Sequence, residues 1–238
     1  MSGHSKWSQI KRQKGAADVK RGASFSKLTN AIIVAAKGGG DVNTNFTLKM
    51  AVEKAKQENM PKDTIERAIK RGTGETAGAA IEEHLYEIIA QGGVGIILEI
   101  MSDNKNRSAS EIKNILNKMG GKLASSGAVT YQFTKMGKLI VAGKDKNHED
   151  LELQMIDAGV EDFFEEGDDI AAFTKPNELE ITKKALESDG LEIKEAVLTY
   201  EPQSLMTVQE DQKAKIIKLL EALENLDDAV AVHTNLEV

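Results

Sequence analysis

Cysteine is absent from the 238 residues. Its absence excludes disulfide frameworks, thiolate metal sites and cysteine nucleophiles together, and permits a reducing compartment. Long apolar runs are missing too. The longest, Ala31 to Ala36 and Gly95 to Leu98, are far too short to span a bilayer. The first six residues, MSGHSK, hold no apolar h-region, so no secretory signal is expected and a soluble cytoplasmic protein is. What is present is ordinary for a globular chain: 40% apolar and 29% charged residues, which excludes wholesale disorder. The length allows two domains or three small ones.

Charge is unevenly spread. The chain carries a net −7, yet residues 1–73 hold 15 Lys/Arg and 6 Asp/Glu, a net of +9. The remaining 165 residues hold 16 and 32, a net of −16. This split predicts a basic module for a polyanion carried on an acidic body. The bland alternative is a helical segment wearing lysines for solubility.

Residues 1–22 set Lys6, Lys11, Arg12, Lys14, Lys20 and Arg21 against one acid, Asp18. Too few apolar side chains are present to bury this stretch alone. It reads as an arm, or a helix lying on a partner, that binds phosphates without reading sequence. Trp7, the only tryptophan, either stacks on a base or anchors the arm to its own domain. Three helices are expected next. Phe25, Leu28, Ile32 and Ala36 share one face, and Gly38-Gly39-Gly40 stops that helix. Leu48, Val52 and Ala55 line a second, which Met60-Pro61 breaks. Ile65, Ala68 and Ile69 line a third, ending at Gly72. Lys27 adds charge to the first, Lys62, Arg67, Lys70 and Arg71 lie off the third stripe, and all five are expected to join Trp7 and the bases of the arm in contacting nucleic acid. The triple glycine has neither the preceding strand nor the Gly-Lys-Ser/Thr ending of a phosphate loop, and reads as a turn.

Beyond a small-residue linker, Gly72 to Ala80, the period shifts towards two. Leu85 to Ala90 and Val94 to Met101 read as strands around Gln91-Gly92-Gly93. Ser108 to Glu111 reads as a capping box opening a helix. Val129, Tyr131 and Phe133 read as a strand. Then come a strand (Leu139 to Ala142), a helix (Asn147 to Ala158), two strands (Val160 to Phe164 and Ile170 to Phe173), a helix (Asn177 to Ser188) and a strand (Ala196 to Tyr200). That order, β-α-β-β-α-β, is the ferredoxin-like unit. A strand (Leu205 to Gln209), a helix (Asp211 to Leu223) and a strand (Ala229 to His233) close the chain and are expected to complete the sheet begun at 85–133. The expected fold is therefore α+β and multidomain. A basic all-α domain spans 1–76, a discontinuous α/β domain 80–134 plus 204–238, and an inserted ferredoxin-like domain 135–203.

Catalytic signatures are wanting. His4, His84, His148 and His233 form no metal-spaced pair. The acids at 161–169 lack the alternate-ligand spacing of a calcium loop and read as a solvated turn. No nucleophile motif occurs in a fitting context. No enzyme activity, metal or cofactor is expected. A carboxylate site in a cleft between the α/β domains is the distant alternative.

GHSKW at 3–7, AADVKRGASFSKL at 16–28, GGGD at 38–41 and NMPKDTIERAIKRGTGE at 59–75 closely resemble the YebC/PmpR family. So do GGVGIILEIMSDNKNR at 92–107, GGKLASSGAVTYQF at 120–133 and LENLDDAVAVHTN at 223–235. The resemblance implies an all-α domain, a discontinuous α/β domain and an inserted one. It also implies a DNA-binding transcriptional regulator acting on promoter DNA. Mitochondrial members, which activate cytochrome c oxidase translation, imply the alternative, a translation factor on the ribosome binding rRNA. Neither reading involves a membrane, and a monomer or weak homodimer is expected. The family often shows Gly-Tyr-Gly-Pro-Gly-Gly where this chain has Ile88 to Gly93, and a basic residue where it has Asn30. Its basic run also differs in order from Lys11-Arg12-Gln13-Lys14.

Overall fold

The computed structural model describes residues 21–143 and 148–237, with side chains from 25 to 143 and from 151 to 237. The chain divides into two compact units, one over 134–201 and the other formed by the described residues on either side.

Among the described residues the larger unit starts with three helices: α1 (Arg21–Ala36), α2 (Phe46–Gln57) and α3 (Lys62–Gly72). Leu28, Ile32, Ile33 and Ala36 of α1 pack with Leu48, Val52 and Ala55 of α2 and with Ile65 and Ala68 of α3. The α1–α2 turn is held by one side chain. Asn45 caps α2 by accepting the Leu48 amide at 3.0 Å, while its own amide donates to the carbonyls of Ala35 at 2.8 Å and Gly39 at 2.7 Å. It therefore satisfies orphan groups at two helix ends at once. Helix α2 ends in a Schellman motif. Asn59 takes the left-handed conformation at φ 60°, and the Met60 amide reaches back to Ala55 at 2.9 Å, before Pro61 opens α3.

The same unit continues through β1 (Glu82–Ile89), β2 (Gly95–Ser102), α4 (Lys105–Met119) and the short β3 (Lys122–Leu123), and the chain re-enters it after residue 201. The other unit consists of β4 (Phe133–Ala142), whose first residue lies at the join, α5 (His148–Asp157), β5 (Asp162–Glu166), β6 (Asp169–Thr174), α6 (Leu179–Ser188) and β7 (Ile193–Pro202). After it follow α7 (Glu210–Glu224) and β8 (Ala229–Thr234). The first sheet has the order β3-β1-β2-β8, with β1–β2, β1–β3 and β2–β8 antiparallel. One face of it, with Ile88, Ile96, Leu98 and Ile100, packs on Ile112 and Leu116 of α4 and on Ile216, Leu219, Leu220 and Leu223 of α7. The β1–β2 turn needs glycine, because Gly92 and Gly93 sit at φ 72° and 83°.

The second sheet has the order β5-β6-β4-β7. With two crossover helices, that is the ferredoxin-like arrangement expected from the sequence. Within it Lys138 and Glu166 form a buried ion pair at 3.2 Å, with the Lys138 ammonium 5.7 Å from the centroid of the Phe173 ring.

Three local expectations are corrected. Residues 108–111 do not start a helix. Helix α4 begins at Lys105, capped by Asn104, which accepts the Arg107 amide at 3.1 Å. Ser108 is buried inside it because its hydroxyl serves Asp228. Residues 129–132 do not form a strand, and only Phe133 begins one, because the amides of Val129 and Thr130 bond to a side chain instead of a ladder. The carboxylate of Glu87 accepts from Gly127 and Val129 at 2.6 Å each and from Thr130 at 2.9 Å. Thr130–Gln132 is a 3₁₀ turn that leaves Tyr131 69% exposed. Finally, Leu205 to Gln209 contributes only an isolated parallel bridge, Met206 to Leu236.

Candidate nucleic-acid interface

Lys6, Trp7, Lys11, Arg12, Lys14 and Lys20 lie outside the described residues, and for Arg21 only the backbone, at the start of α1, is described. The other predicted phosphate contacts divide between surface and scaffold.

On α3 the inward stripe of Ile65 and Ala68 leaves Lys62, Arg67 and Lys70 on the outer face. Lys62 is 85% exposed and pairs with Glu66 at 3.6 Å. The Arg67 guanidinium lies along its own helix, donating to the Asp63 carbonyl at 3.2 Å and the Thr64 hydroxyl at 3.3 Å. These bonds are water-exposed and weak, so a phosphate can replace them. The face also carries Asp63 and Glu66, which offset part of its charge.

Two predicted contacts do structural work. Arg71 donates from Nη2 to the Ala79 carbonyl at 2.8 Å, and its Nε is buried without a partner. A Cβ on Gly78 would stand 2.6 Å from that Nε, so Arg71 latches the linker across α3. Lys27 donates to the carbonyl of Glu224, the last residue of α7, where a cation meets the negative end of the helix dipole. Lys37 donates to the Ile81 carbonyl, and Asn30 to that of Met101 at 3.2 Å. Asn30, where the family usually has a base, thus docks α1 on β2. Lys27, Asn30 and Lys37 fasten the helical segment to the α/β part of its unit.

One polar cluster was missed from the sequence, since its members are scattered along the chain. The carboxylate of Asp228 accepts from Ser108 at 2.7 Å, Ser102 at 2.8 Å and Arg107 at 3.0 Å, while Asp103 holds the same guanidinium at 3.1 Å. Burial alone would raise the Asp228 pKa, but the bonds from Ser108, Ser102 and Arg107 outweigh it and the net shift is downward. Beside this cluster lies a groove of about 430 Å³ lined by Glu82, His84, Ser102 and residues 103–106. Among the described residues no three His, Asp or Glu side chains are grouped to hold a metal. No helix there is long and apolar enough to cross a membrane.

Comparison with known proteins covers nearly the whole chain. Residues 5–75 match the TACO1/YebC protein N-terminal domain, and residues 81–236 the TACO1/YebC second and third domain. A "probable transcriptional regulatory protein" of Halothermothrix orenii is 44% identical over 242 residues, covering 100% of this chain and 96% of that one. A protein of the same description from Thermotoga petrophila is 46% identical over 240 residues, covering 100% and 94%. The crystal structure of a conserved hypothetical protein from Aquifex aeolicus superposes with a TM-score of 0.89 at 42% identity, covering 98% of this chain and 97% of that one. With that fold, those matched domains and that identity over its full length, the chain belongs to the TACO1/YebC family.

Proposed function

We infer that this protein is a non-enzymatic regulator of gene expression that binds nucleic acid through its N-terminal segment, as a DNA-binding regulator of transcription. The observation that carries this is the charge split: net +9 over residues 1–73 in a chain of net −7. An acidic protein that concentrates its bases at one end is built to place that end on a polyanion while the rest is repelled from it. Lys6, Lys11, Arg12, Lys14, Lys20 and Arg21 contact phosphates, joined by Lys62, Arg67 and Lys70 on the exposed face of α3. The transcriptional part rests on what its relatives are called.

A second reading, a translation factor on ribosomal RNA, is favoured by one observation. The outer face of α3 offers charge but no amide side chain beside it, a composition suited to phosphate contacts, which position a nucleic acid without reading its sequence. Sucrose-gradient fractionation of lysate separates the readings. Retention in a nucleoid fraction that DNase abolishes supports transcription. Co-sedimentation with ribosomes that survives DNase and is lost in high salt replaces it with translation.

A further inference from the structure

Helix α4 sits in the acidic part of the sequence but is not acidic. Residues 104–124 hold five Lys/Arg and one Asp/Glu. Arg107 is taken up by Asp228 and Asp103. Among the described residues Lys105, Lys113, Lys118 and Lys122 are exposed and have no carboxylate partner. Several lysines elsewhere in the acidic part are paired: Lys175 with Glu178 at 3.4 Å, Lys184 with Glu180, Lys194 with Asp169, Lys215 with Asp211 at 3.7 Å. Lys105, Lys113 and Lys118 stand on this one helix, and Lys122 follows it on β3.

The helix is also amide-rich. Its inner stripe is Ser108, Ile112 and Leu116. Opposite, spaced by four, four and three, stand Asn106, Ser110, Asn114 and Asn117, all exposed. This crest runs about 16 Å along the axis. Among the described residues the amides of Asn106, Asn114 and Asn117 make no hydrogen bond, and Ser110 donates only back to the Asn106 carbonyl at 2.8 Å. At 100° per residue, Lys113 and Lys118 fall on opposite flanks of the crest, and Glu111 lies off it beside Lys118.

We propose that the outer face of α4 is a second nucleic-acid contact that enters the major groove of duplex DNA. A neutral hydrogen-bonding crest with a cation on either flank fits a groove with base edges at its floor and phosphates on both walls. Asn side chains pair with the N6 and N7 atoms of adenine, and the B-form major groove is wide enough for a helix. The major groove of A-form RNA is too narrow for side chains to read. Lys113 and Lys118 hold the walls, and Asn114 and Asn117 read the floor. The inference rests on the nucleic-acid reading above and adds amide side chains for base edges, which α3 lacks.

The test uses the full chain, fluorescence anisotropy on labelled duplex DNA, and selection from a randomised duplex pool. Three variants are compared: Asn114→Ala/Asn117→Ala, Lys113→Ala/Lys118→Ala, and Lys62→Ala/Arg67→Ala/Lys70→Ala. All substituted residues are exposed, so melting temperatures serve as the folding control. Wild type is expected to select adenine-containing sites, and the amide variant to lose roughly tenfold of that preference per residue with its salt slope unchanged. The Lys113/Lys118 variant is expected to lose about 2 from the slope of log K against log salt. If both α4 variants select and bind like wild type while the α3 variant weakens, the inference is overturned and the N-terminal reading stands. If they weaken binding to an RNA duplex of the same sequence and not to DNA, the major-groove assignment is overturned.

Discussion

Arg107 and Asp228 stand 121 positions apart in the chain and 3.0 Å apart in the fold. Their bond ties the start of α4 to the loop between α7 and β8, and the hydroxyls of Ser102 and Ser108 donate to the same carboxylate. A cation in the first turn of a helix opposes the dipole; Asp228 and Asp103 compensate it. The Arg107 guanidinium is thus committed internally, which separates it from the lysines around it.

Replacing Arg107 by Ala removes the charged donor from a carboxylate that is only 9% exposed. The expected cost is about 1–3 kcal/mol, the penalty of under-satisfying a buried charged acceptor. Urea unfolding of Arg107→Ala and Asp228→Asn checks this. The two changes combined are expected to cost less than the sum of the singles, because each removes a partner of the other.

Acid weakens the fold through two carboxylates. Burial pushes the Glu87 pKa up, but the hydrogen bonds from Thr130, Gly127 and Val129 prevail and the net shift is downward; Asp228 also ends below its ordinary value. A folded-state pKa below the unfolded one stabilises the fold at pH above the unfolded value. That contribution is lost as pH falls through the folded value. Unfolding free energy is therefore expected to hold near neutrality and to fall below about pH 4. Glu87→Gln, which keeps the shape but loses an acceptor, is expected to be less stable at neutral pH and to show a flatter acid limb.

Gly72 is where α3 touches α1. A Cβ there would stand 2.4 Å from the Ile33 carbonyl oxygen and 2.6 Å from the Ala36 Cβ. Gly72→Ala is expected to cost about 1–3 kcal/mol by overpacking, although alanine is the better helix former. A rise in melting temperature would contradict the contact.

In the inserted unit, Lys138→Met removes the cation 3.2 Å from the buried Glu166 carboxylate, at an expected cost of about 3–5 kcal/mol. Lys138→Met with Glu166→Leu is expected to recover most of it. Thermal unfolding of the single and double variants gives the answer.

Much of the architecture was legible because periodicity carried it. The β-α-β-β-α-β order and the three N-terminal helices follow from apolar spacing alone. The errors arose where a distant partner overrode the local pattern. Ser108 to Glu111 has the composition of a capping box, but Asp228 draws Ser108 into the helix interior. Val129 to Phe133 alternates like a strand, but Glu87 captures the amides a ladder would need. At the candidate interface, net charge was readable and its availability was not. Lys27 and Arg71 count equally with Lys70 in the sequence, yet their donors go to the backbone carbonyls of Glu224 and Ala79. The crest of α4 is silent in the sequence because Asn and Ser add nothing to a charge count, and their common face appears only once Ile112 and Leu116 show which side is buried.

The most direct test of nucleic-acid binding through the N-terminal segment is the salt dependence of that binding. Anisotropy titrations of the full chain on duplex DNA, over a series of salt concentrations, are compared with Lys11→Ala/Arg12→Ala/Lys14→Ala and with Lys27→Met. Three lost phosphate contacts are expected to lower the slope of log K against log salt by about 3. Lys27→Met, whose ammonium serves Glu224, is expected to leave the slope unchanged. A triple variant with the wild-type slope would contradict the account.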